Sequence, residues 1–157
     1  MSADSFNTEI RVMRDVLDKK QAALSQILAI CENQETLYRH PPSAERTAFS
    51  KEIAVEKQRL IETVLECDDV FQAIFTRLKP TFEAEAEKQP ALITALQARI
   101  KEVMETDVKI RAQEERNKQL LAAEGANRSF TAPQAPVVTK PRAYVLDQYA
   151  KHKRPGS

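Results

Sequence analysis

The first glycine of this chain is Gly125, and the stretch before it carries apolar residues at helical spacing. Glycine supplies left-handed turns and the loops that cradle phosphate. A body without it excludes most enzyme layouts and predicts long, uninterrupted helices. Aliphatic residues dominate the apolar fraction: tryptophan is absent and aromatics are 6%. Charged residues are 30%, as expected of helices with solvated outer faces.

Three segments carry the pattern. The first begins near Asp4 or Ser5, both good N-cap types. Its stripe is Ile10, Met13, Leu17, Leu24, Ile27 and Cys31, a heptad-like seam. Lys20 falls in the seam, where its long stem is expected to snorkel to solvent. His40-Pro41-Pro42 stops this helix after about Arg39. Ser43 is a candidate N-cap for the second, whose stripe is Phe49, Ile53, Leu60, Val64, Cys67, Phe71, Ile74 and Leu78, with Phe75 beside it. Pro80 ends or kinks it. Residues 81–89 form either a loop or an extra turn. Pro90 suits the first turn of a third helix. There the stripe is Ile93, Leu96, Ile100, Val103 and Ile110, flanked by Leu92, Met104 and Val108. Asp107, Glu114 and Asn117 interrupt its later seam, so its last turns are expected to project into solvent or to await a partner. Glu105–Lys109 and Glu114–Lys118 are expected as surface pairs, and Gly125 as the residue that closes the helix.

The pattern predicts an all-α fold: an elongated antiparallel bundle of three long helices over residues 1–125, each roughly 50 Å long at about 1.5 Å per residue. Residues 126–157 read as a proline-containing, flexible linker and tail, with Pro133, Pro136 and Pro141 and no helical period. Residues 1–123 hold 18 Lys+Arg against 21 Asp+Glu, a net of −3, and residues 124–157 hold 6 against 2, a net of +4. The whole chain has a formal net charge of +1 and so no strong electrostatic preference for nucleic acid or membrane; no nucleic-acid partner is expected, and binding of nucleic acid through the basic tail is the weaker alternative. The start lacks a signal-peptide pattern. No segment reaches the roughly 18 apolar residues of a membrane span, so no stable membrane insertion is expected and a cytoplasmic location is the default.

No catalytic constellation is visible. His40 and His152 lie in a proline turn and a basic tail, far from any carboxylate pattern that would bind metal. Cys31 and Cys67 fall within apolar stripes and read as small buried hydrophobes. Asp68-Asp69 and Glu83-Glu85-Glu87 read as solvated faces. The expectation is a protein that is not an enzyme, with no cofactor and no metal.

Two readings of the stripes remain open. In one, they pack on each other as an internal core. In the other, part of them forms a groove for a partner's amphipathic helix, with Leu60, Val64, Phe71, Ile74, Phe75, Leu78, Ile93, Leu96, Ile100 and Val103 as its candidates. Ile74 and Phe75 diverge by about 100° on a helix, so one of them is a candidate contact for a partner or a second copy. In the tail, Tyr144, Leu146 and Tyr149 are candidate docking anchors beside Lys151, Lys153 and Arg154.

The segments LDKKQAALSQILAICENQETLYR (17–39), EKQRLIETVLECDDVFQAIF (56–75) and LQARIKEVMETDVKIRAQEERNKQLL (96–121) resemble the FlgN/FliT-type flagellar export chaperones in their Gram-positive-like version. The steps that carry the resemblance are Glu-Lys-Gln at the start of the second segment, Asp68 to Phe71, and Glu114 to Asn117. It covers residues 5–121. It implies a cytosolic chaperone that binds the helical C-terminal ends of flagellar hook-associated or filament-cap proteins and delivers them to the export gate. The alternative from the residues is a coiled-coil scaffold or adaptor that self-associates, for example as a homodimer.

Overall fold

Ser43 shows how local chemistry sets an element boundary. Its side chain accepts a hydrogen bond from the Arg46 backbone N–H at 3.0 Å, and its own backbone is extended. That satisfies one of the open donors at the start of a helix. The structure, a computed structural model, describes residues 3–128. Helix α1 spans Ala3–Arg39 and α2 spans Ala44–Leu78, with His40-Pro41-Pro42 between them. Pro80 sits in a 3₁₀ turn, Lys79–Thr81, followed by the short α3, Phe82–Ala86. Helix α4 starts on Pro90 and runs to Arg128. It passes through Gly125 instead of closing there. The candidates Tyr144, Leu146 and Tyr149 lie outside the described residues. Ser43→Ala should lower the unfolding free energy by about 1 kcal/mol, read as a shift in the urea midpoint.

The three long helices pack side by side, with α1 in close backbone approach to both α2 and α4. Cross-helix bonds set the register. Glu9 meets Arg77 at 2.6 Å and Gln34 meets Lys57 at 3.4 Å, so α1 and α2 are antiparallel. Asp18 meets Arg99 at 2.8 Å, Gln21 meets Thr106 at 2.8 Å and Glu35 meets Gln113 at 2.7 Å, so α1 and α4 are parallel. The fold is an up–down–up bundle. Among the described residues there is no strand.

Helix α1 supplies the central seam. Phe6, Ile10, Met13, Leu17, Lys20, Leu24, Ile27, Cys31 and Gln34 are all buried, at alternating steps of four and three. That is the spacing of a helix packed knobs-into-holes against neighbours. Burying each large apolar side chain in such a seam stabilises by roughly 1.5–3 kcal/mol. Helix α2 buries a wider stripe, and Ile74 and Phe75 are both inside. The fold accommodates both because the chain turns back after Leu78. Phe82 then covers the end of the core, with its ring 6.0 Å from Phe6 and 6.4 Å from Phe75.

Some stripe positions land elsewhere. Phe49 is 51% exposed and Val108 is also exposed. Glu105 pairs with Lys101, and Glu114 with Lys57, rather than with Lys109 and Lys118.

Candidate functional site

The proposed groove residues belong to the core. Leu60, Val64, Phe71, Ile74, Phe75, Leu78, Leu96, Ile100 and Val103 are buried in one cluster, and Ile93 is partly buried against it. They face one another across the bundle, so in the closed chain they offer no open trough. Among the described residues, the exposed large apolar ones are Val12, Phe49, Val55, Val70 and Val108, spread over three helices.

The less expected feature of this core is its polar content. Lys20 is 1% exposed and forms a buried ion pair with Asp68 of α2. Lys20 therefore does not snorkel, and Asp68 is not part of a solvated face, although its neighbour Asp69 is exposed. At the same level on α4, Asp107 is buried and accepts from Arg111 at 2.7 Å. The Gln21 amide donates to the Thr106 hydroxyl beside it. A charged layer thus crosses all three helices near the middle of the bundle.

A second polar layer lies farther along, where α4 was expected to lose its partners. Lys57, buried on α2, reaches the Gln34 carbonyl oxygen at 3.4 Å and the Glu114 carboxylate at 3.5 Å. Asn117 donates to the Cys31 backbone carbonyl at 2.8 Å, and its own side-chain oxygen accepts from Gln113 at 3.1 Å. Gln113 also donates to Glu35. The Gln113 bond, followed by the Arg39 guanidinium, holds the Glu35 carboxyl below the usual carboxylate range. The end of α4 neither projects free nor stands open, because amide and charged side chains replace its apolar seam and find partners on α1 and α2. Near its end Glu124 pairs with Arg46 at 2.9 Å, and that guanidinium lies over the Tyr38 ring.

Both cysteines are buried and free. Burial pushes the Cys31 thiol up to about 11, with the Lys57 ammonium opposing and the Glu114 carboxylate reinforcing the shift. Cys67 is raised as well, again chiefly by burial. Since the thiolate is the reactive form, a disulfide-exchange reagent at pH 8 should modify neither cysteine at an appreciable rate in the folded protein. Both should react fully in denaturant. Fast stoichiometric labelling of the native chain would contradict the packing described here.

Among the described residues no group of His, Cys, Asp and Glu is arranged to hold a metal ion. No described helix is long and apolar enough to cross a membrane. The stripes exposed the apolar core to reading, but not the pairing of Lys20 with Asp68 or of Lys57 with Glu114. The available signal was a lysine at a seam position facing an acidic seam position on another helix. Comparisons with family models, with curated proteins and with solved structures found no match to this chain.

Proposed function

We propose that this chain is a non-enzymatic holding protein that captures an amphipathic helix of another protein. In its specific form it is a cytosolic export chaperone for the helical C-terminal ends of flagellar hook-associated or filament-cap proteins, handing them to the export gate. One observation carries the reading: a core of helical seams interrupted by buried charged and amide layers. Such layers fix register while leaving the closed bundle less stable than an all-apolar one. A visiting helix with the same period can then exchange against the bundle's own seams. An exposed apolar stripe on an unassembled axial protein needs such a cover, and polar contacts that can return to water would keep the capture reversible.

Asp68, Phe71, Glu114 and Asn117, which carry the resemblance to that family, lie in or beside these layers, so in this chain they serve the bundle's register. The scaffold alternative cannot use the α1 seam from Phe6 to Gln34, because it is consumed within one chain.

The test is titration of the full chain with peptides matching the C-terminal helices of hook-associated and cap proteins, against scrambled peptides of equal composition. Saturable binding of the native peptides alone, with the free chain sedimenting as a monomer, supports the proposal. Equal binding of scrambled peptides, or no binding, overturns it. A stable dimer with no affinity for the peptides would favour the scaffold.

A further inference from the structure

The two ends of this bundle are built differently. At one end the core is apolar and aromatic: Phe6, Ile10 and Met13 of α1 share the cluster with Phe71, Phe75 and Leu78 of α2, closed over by Phe82. Past the Lys20–Asp68 pair, Leu24, Ile27, Leu60, Ile61, Val64 and Ile110 still fill the core, and the apolar content runs out beyond them. Ile27, Leu60 and Ile110 are among the last buried aliphatic side chains. Next come Gln34, Lys57, Gln113 and Asn117. Beyond those, no residue of α2 between 44 and 56 is buried, and none of α4 between 118 and 125.

We propose that this polar end opens as one cooperative unit while the aromatic end stays closed. The unit comprises residues 28–39 of α1, 44–59 of α2 and 111–125 of α4. What joins these segments is the amide and ion-pair layer around Lys57, together with the Arg46–Glu124 pair at 2.9 Å. Such groups exchange protein partners for water on opening, and the cost of desolvating them offsets much of what their pairing gains, so their net hold is small. Apolar burial, which scales with the area kept from water, is concentrated at the other end. The layer also explains why the segments part together: Lys57 bridges Gln34 of α1 and Glu114 of α4, and Asn117 holds the Cys31 carbonyl, so loss of one contact undoes the others. Opening uncovers Ile27, Leu60 and Ile110. This is a property of the chain alone, and it stands or fails whether or not the export reading is right.

Native-state amide hydrogen exchange on the full chain, followed by mass spectrometry at urea concentrations below the unfolding transition, tests it. The three segments should share one urea dependence and exchange at least about 100-fold faster than residues 64–78 and 96–106. In Gln34→Leu/Lys57→Met/Glu114→Leu/Asn117→Leu, exchange of those segments should slow by about tenfold or more, because apolar packing replaces a buried polar layer. Phe82→Ala should speed exchange near residues 6–13 and 71–78 and leave the polar end unchanged. Exchange of the polar end only through global unfolding would overturn the proposal. So would three segments opening at unrelated rates, as independently fraying helices do.

Discussion

Lys20→Met should lower the unfolding free energy by about 3–5 kcal/mol, because it leaves the Asp68 carboxylate buried without the ammonium that faces it. Lys20 is 1% exposed and Asp68 is 3% exposed, so water reaches neither readily. The companion experiment is the double substitution Lys20→Met/Asp68→Leu. It removes both charges and fills the same space with apolar atoms, and it should recover most or all of the loss. Asp107 keeps Arg111 at 2.7 Å in both variants. Urea unfolding with an unchanged slope measures the effect. If the single substitution costs less than about 1 kcal/mol, the value typical of exposed pairs, the lysine is solvated and the charged layer does not exist as described.

Phe71→Ala should cost about 3–5 kcal/mol, the usual range for removing a fully buried phenylalanine. Its ring is 1% exposed and sits inside the main cluster between α2 and α1. Phe49→Ala is the matched control. It comes from the same helix and from the same predicted stripe, yet half of its surface is open. That change should stay within about 0.5 kcal/mol. The contrast bears on the proposed function. Loss of partner capture by Phe71→Ala would be uninformative unless circular dichroism shows the variant still folded, because the residue holds the bundle together. If Phe71→Ala and Phe49→Ala prove equally mild, the core is not where the structure places it.

These two pairs also mark how far the residues could be read unaided. Phe71 and Phe49 obey the same spacing, but only Phe71 is covered in the folded bundle. Residues 44–56 of α2 pass the level at which the buried part of the bundle ends. Lys20 and Asp68 were visible individually, one as a flaw in a seam and one as half of an acidic pair. Their meeting depends on an antiparallel register linking positions 48 apart in sequence, which no local pattern encodes. The groove candidates lie on stripes that face inward. Whether those stripes faced a partner or one another was undecided, because periodicity identifies a face without saying what covers it.

The helices themselves were legible because their causes are local. The apolar period, the Ser43 cap, the His40-Pro41-Pro42 stop and the Pro90 start act within a few residues, and together they place α1, α2 and the beginning of α4. Burial of charge was decided only in the folded bundle. A lysine or aspartate can be held away from water only when its counter-charge arrives from another helix at the same height, and that height is a consequence of how all three rods settle against each other.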